Sequence, residues 1–223
     1  MRIDLPDPNY VSSKRSRHNF LLAFRYGLLL SLLIWAVFIT DLVFGLELVR
    51  FGIFPRVTGG LWGIIMTPLV HANWQHLLSN TMPLLIGTTA ILYLYPNSSI
   101  RVAPIIYFGS SLVVWLVGRS NIHIGASGFI YGLLAYVFVA GLLRRDARAI
   151  AVSLLIWFLY SSLLRGLVPG NGLLSWELHL AGFVLGVTLA ITYRHWDITP
   201  KKRYQWEDDD DDDELTDDAD FTH

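Results

Sequence analysis

Three stretches of this sequence carry side chains suited to acyl transfer. Gly125-Ala126-Ser127-Gly128 sets a hydroxyl among small residues at the head of a long apolar run. His71-Ala72-Asn73-Trp74-Gln75-His76-Leu77-Leu78-Ser79-Asn80 heads an earlier apolar run, and His179 heads a later one. An unassisted hydroxyl is a poor nucleophile, so a serine needs a base, and Ser plus His is the smallest kit for covalent catalysis. His179 is the candidate base for Ser127, 52 residues further along the chain.

Spacing suggests roles for the neighbours. Tyr131 follows Ser127 by four residues, which puts it on the same helix face one turn deeper. Its ring could pack on the imidazole and fix its orientation. His76 and Asn80 share a face by the same spacing. Both can donate hydrogen bonds to an oxyanion, and such preorganised donors contribute about 10²–10³-fold in rate. The same pair would serve equally as polar glue between helices. His71 reads either as a cap or brace for its loop or as an ordinary interfacial histidine. Its five-residue separation from His76 suits two metal ligands on one helix face poorly, so no metal or cofactor is expected. Glu177 stands two residues before His179 and points to a different face. It reads as an interfacial charge, which leaves a Ser–His dyad.

The elements that must position these groups are apolar. Of 223 residues 53% are hydrophobic and 16% charged, against roughly 25% charged in soluble domains. That composition describes a polytopic membrane protein. Six apolar segments stand out, at about 20–44, 77–95, 102–118, 126–143, 149–165 and 179–193. Turns are expected at Pro96-Asn97-Ser98-Ser99 and Pro169-Gly170-Asn171-Gly172, and a charged loop at Arg144-Arg145-Asp146-Ala147-Arg148. The first segment has no small-x-small cleavage site at its end and reads as a retained helix. Cysteine is absent, which excludes disulfides and thiolate metal sites. Trp62, Trp74, Trp115 and Trp176 fall near expected outer boundaries, as in an aromatic belt.

Charge sets the orientation. With the N-terminus inside, 13 basic residues lie on the cytoplasmic side and 4 outside. Both termini are then cytoplasmic, and segments two, four and six all enter from the outer face. His76, Asn80, Ser127 and His179 come to similar depth below that face. Polar groups at membrane depth are costly and usually functional. Gly128 and Gly132 form a small-xxx-small face, repeated by Gly182 and Gly186. Segments four and six can therefore pack backbone to backbone and bring Ser127 to His179. Gly125 fits the same close packing.

The ends differ from the middle. Glu207 to Asp220 holds 11 of the 18 acidic residues, and residues 1–206 carry 17 basic against 7 acidic. The run Asp208–Asp213 is low-complexity and self-repelling. The expected organisation is a cytoplasmic segment at 1–18, a membrane domain at 19–194 and a basic, then acidic, disordered tail at 195–223. The tail reads as a solvated segment, with binding of an unknown partner or of cations as the alternative. No nucleic-acid partner is expected.

Together these motifs resemble the rhomboid intramembrane serine proteases. Gly125-Ala126-Ser127-Gly128 is similar to the family's Gly-x-Ser-Gly motif. His71-x4-His76-x3-Asn80 is similar to its second-helix signature, and His179-x2-Gly182-x3-Gly186 to its sixth-helix motif. The resemblance covers about residues 50–193. It implies an all-α, six-transmembrane-helix rhomboid-like bundle. It also implies Ser127 as nucleophile, His179 as base and acid, and Tyr131 as the ring stacked on His179. The oxyanion site would be His76, Asn80 and the Ser127 backbone N–H. Implied substrates are transmembrane segments with helix-weakening residues, cut near the outer face, with water reaching Ser127 through a cavity open to that side. A catalytically silent rhomboid-like protein that binds transmembrane helices is the alternative, and loss of Ser127 or His179 would mark it. A transporter would show internal repeats, and none is visible. Two departures stand out. Gly63 replaces the arginine of the family's Trp-Arg pair in the first outer loop, so its bracing contacts must be replaced or missing. Leu178 replaces a common alanine, which implies looser packing beside His179. Short loops and the lack of a targeting segment point to a bacterial inner membrane.

Overall fold

The computed structural model describes residues 14–159, 166–168 and 175–197. Most of the expected N-terminal segment, the Pro169-Gly170-Asn171-Gly172 turn and the acidic tail lie outside the described residues. Six helices of 13 residues or more occur among those described: α1 Lys14–Phe44, α2 Trp74–Leu94, α3 Pro96–Val117, α4 Ser127–Arg144, α5 Ala147–Leu159 and α6 Trp176–Thr192. The first four are long and apolar enough to cross a membrane, and α5 and α6 are shorter apolar helices. One isolated bridge, Ile53 to His123, is the sole β-pairing among the described residues. Residues 45–73 connect α1 to α2 through one-turn helical pieces.

α4 is the central helix. Its residues from Ser127 to Val137 are all buried, as expected of a helix that is apolar all round. α1 shows the opposite pattern. Leu29, Leu32, Leu42, Val43 and Phe44 are exposed, which suits a helix facing lipid. α1 leans on α2 through Trp35 and Phe38, whose rings meet Trp74 at 6.0 and 4.8 Å, and through Trp35 Nε1–H donating to Thr81 Oγ1 at 3.0 Å.

The expected turn at Pro96–Ser99 is absent. α3 starts at Pro96 itself, with Tyr95 as the single pivot between two helices. Proline is tolerated in a first helical turn because its missing N–H has no partner there anyway. The next donors are satisfied by Asp197, 100 residues away. Its carboxylate accepts from Asn97 N at 3.0 Å, Ser98 N at 2.9 Å and Ser98 Oγ at 2.6 Å. A carboxylate at a helix N-terminus also complements the helix dipole. Tyr136 of α4 donates to Ser98 Oγ at 2.8 Å, and Arg144 donates to the Tyr193 carbonyl at 2.6 Å. This clasp ties the end of α6 to α3 and α4.

α4 and α6 make the most extensive helix contact among the described residues. Glycines face each other along it. A Cβ on Gly182 would collide with the Gly128 carbonyl oxygen, and one on Gly186 with the Gly132 carbonyl oxygen. The two backbones touch, as the small-xxx-small pattern predicts. Gly182→Val should destabilise the fold by about 3 kcal/mol, the upper end of the overpacking range. Gly59→Ala should be near neutral, since nothing lies within 4 Å of a Cβ there. Thermal unfolding in detergent compares the two, and equal midpoints would contradict the packing argument.

Candidate active site

Ser127 is the first residue of α4, and His179 sits in the first turn of α6. The glycine contact sets these two helix starts side by side. Ser127 Oγ–H donates to His179 Nε2 at 2.8 Å, and His179 Nδ1–H donates to the Gly166 carbonyl at 2.9 Å. A carbonyl only accepts, so Nδ1 must carry the proton and Nε2 must be the acceptor. That is the tautomer a general base needs. Both side chains are 6% exposed.

Tyr131 lies under the imidazole as its spacing predicts. The rings stack with centroids 4.3 Å apart and planes 9° apart. Trp157 of α5 meets the Tyr131 ring edge-on at 5.8 Å. The imidazole is thus held by a carbonyl on one side and a ring beneath. Glu177 takes no part. It pairs with Arg119 at 2.9 Å, with its side chain only 10% exposed.

His76 and Asn80 converge on the loop before Ser127. A Cβ on Gly125 would lie 2.5 Å from His76 Nε2 and 3.6 Å from Asn80 Nδ2. Gly125 also has φ +106°, a conformation that favours glycine. Both side chains therefore abut the backbone two residues ahead of Ser127. Asn80 Nδ2 is buried and makes no hydrogen bond among the described residues, an unusual state for a buried amide. The Ser127 N–H, as the first of its helix, has no acceptor within the helix. The His76 ring, the Asn80 amide and the Ser127 N–H thus gather around Gly125. His76, Ser127 and His179 line a cavity of about 590 Å³, together with Asn73, Gln75, Asn121 and Ser175.

A Rhomboid domain model matches residues 58–196 of this chain. The chain belongs to the rhomboid family. With its apolar helices, this rhomboid protein is a multi-pass membrane protein. It is 38% identical over 167 residues to an uncharacterized protein of Mycobacterium tuberculosis (strain ATCC 25618 / H37Rv), covering 71% of this chain and 70% of that one. An uncharacterized protein of Mycobacterium bovis (strain ATCC BAA-935 / AF2122/97) is similar to the same extent. One of Mycobacterium leprae (strain TN) is 37% identical over 142 residues, 60% of this chain and 56% of its own.

The departures from the family pattern have structural answers. Gly63 packs its Cα on the Gly52–Ile53 backbone, where a Cβ has no room. Bracing of the 45–73 connector comes from Arg56 instead. Its guanidinium donates to the Gly118 carbonyl at 2.7 Å, and its N–H to the Trp115 carbonyl at 2.9 Å. A cation at the end of α3 also suits the helix dipole. The looser packing expected of Leu178 is not found. Leu178 is 1% exposed, lies against Gly128 and clusters with Ile53, Val114 and Ala181. The space an alanine would leave is filled by the longer side chain. Sequence reasoning missed Gly166, which contributes only a carbonyl and leaves room for Tyr131 and His179. A Cβ there would meet the Tyr131 hydroxyl and stand 2.7 Å from His179 Nδ1.

His71 braces the loop before α2. Its ring contacts His76 edge-on at 5.0 Å, and Nδ1 lies 3.3 Å from the Leu69 carbonyl. Burial, then the charge His76 would carry, holds it down at about 3 from an ordinary 6.5. Between pH 6.5 and about 3 the unfolded chain binds a proton there that the folded protein does not. Stability from this site is complete above pH 6.5 and falls with pH through that window, by up to about 1.4 kcal/mol per pH unit. His71→Phe should flatten the fall when unfolding midpoints are followed from pH 7 to 4, and identical slopes would refute the assignment.

Proposed function

We propose that this rhomboid protein is an intramembrane serine endopeptidase that cuts transmembrane segments of membrane proteins near the outer face. It spans the membrane six times with both termini cytoplasmic, in a bacterial inner membrane. The observation that carries the reading is the Ser127–His179 hydrogen bond of 2.8 Å, in which Gly166 fixes the base tautomer.

The chemistry follows from those positions. His179 Nε2 takes the Ser127 proton as Oγ attacks the scissile carbonyl. The imidazolium keeps its Nδ1–H on Gly166 and its face on Tyr131. His76, Asn80 and the Ser127 N–H receive the negative charge on the carbonyl oxygen. The C–N bond then breaks, and His179 returns the proton to the leaving amine. A water entering from the cavity repeats the sequence on the acyl-enzyme and frees Ser127. The Asn80 amide, buried and without a partner among the described residues, supports an oxyanion role over interhelical glue, since glue would have a partner.

Reconstitution with a fluorescent model transmembrane substrate tests this reading. Ser127→Ala and His179→Ala should each lower kcat by at least about 10³-fold. Asn80→Ala and His76→Ala should cost about 10–10³-fold, chiefly in kcat. Cleavage by Ser127→Ala at the wild-type rate would sink the proposal.

A further inference from the structure

A second serine and histidine meet just outside the dyad. Ser175 Oγ–H donates to His123 Nδ1 at 2.5 Å, and His123 Nε2–H donates to the Arg119 carbonyl at 3.1 Å. The carbonyl again fixes the tautomer and leaves the other nitrogen as the acceptor. His123 stands four residues before Ser127, and Ser175 four before His179, so both pairs are separated by 52 residues. They are successive rungs between the same two segments, with residue types exchanged.

Ser175 occupies the N-cap of α6, where a serine hydroxyl ordinarily accepts from the helix's own first turn. Here it makes no such cap. The hydroxyl goes to His123 instead, while the Ser175 carbonyl accepts the N–H groups of Leu178 at 3.1 Å and His179 at 3.3 Å. Whatever holds Ser175 therefore holds the turn that carries the base. His123 is a firm anchor. It is 1% exposed and exchanges backbone hydrogen bonds of 2.9 and 3.0 Å with Ile53, and its carbonyl accepts the Thr67 hydroxyl at 3.1 Å. The Arg119–Glu177 ion pair at 2.9 Å fastens the same two segments.

We infer that His123 is a positioning residue, acting through Ser175 to set the register of α6 so that His179 Nε2 meets Ser127 Oγ. The kinetic side of this assignment rests on the serine-protease reading; the structural side does not. It ties the 45–73 connector, the nucleophile loop and the base helix into one unit.

Three variants of the full chain separate this role from simple filling of space. His123→Gln keeps an amide near the Nε2 position, for Arg119, and leaves Ser175 without an acceptor. His123→Asn keeps an acceptor near the Nδ1 position. Ser175→Ala removes the donor. His123→Gln and Ser175→Ala should lower kcat by about 10–10²-fold with KM little changed. His123→Asn should recover to within about threefold of wild type, and the Gln/Ala double variant should be no worse than the poorer single one. Hydrogen exchange supplies the readout independent of catalysis. The Leu178 and His179 amides should exchange about tenfold faster in His123→Gln and Ser175→Ala, and at the wild-type rate in His123→Asn. Unchanged exchange in His123→Gln, or equal losses in His123→Asn and His123→Gln, would overturn the inference. An inactive wild type would instead defeat the protease reading, with exchange still deciding the register.

Discussion

The contact between the backbones of α4 and α6 is the constraint on which the rest of the molecule depends. Two helices in lipid gain little from mutual hydrophobicity, so close approach relies on packing and on small residues. Gly128 against Gly182 and Gly132 against Gly186 let backbone meet backbone along the seam, with Leu178 packed beside Gly128. What remains is a short interaxial distance that sets the first residue of α4 beside the first turn of α6. The hydrogen bond between Ser127 and His179 is a consequence of that approach.

Fasteners at both ends keep the seam aligned. At the C-terminal end of α6 Asp197 caps α3 and Arg144 takes the Tyr193 carbonyl, so that end is gripped by two neighbours. At the other end Arg56 straps the 45–73 connector to the end of α3, and His123 ties that connector to Ser175. Between these ends α4 is buried on all sides. The polar groups of the site thus sit in a rigid frame, which is the condition for preorganised hydrogen-bond donors to act on a reaction.

Local pattern made much of this legible. Apolar runs located the helices, because burial in lipid demands them. The i, i+4 spacings of Ser127 with Tyr131 and of His76 with Asn80 placed those side chains on shared faces. The glycine spacing foretold the seam. What escaped was contact between residues far apart in sequence. Pro96-Asn97-Ser98-Ser99 has the composition of a turn, and only Asp197, 100 residues on, makes it a helix start. Gly166 acts through a backbone carbonyl, which no side chain advertises. Leu178 reads as a departure until Gly128 is seen beneath it. The missing arginine at Gly63 is answered by Arg56, from a different part of the same loop.

The central claim is that the glycine seam delivers a working base to Ser127. Covalent labelling of Ser127 by a fluorophosphonate, read by mass spectrometry and normalised to folded protein, tests it most directly. The account predicts label on Ser127 in the wild type, with loss of most of it in Gly182→Ala as well as in His179→Ala. Labelling of folded Gly182→Ala at the wild-type rate would contradict it.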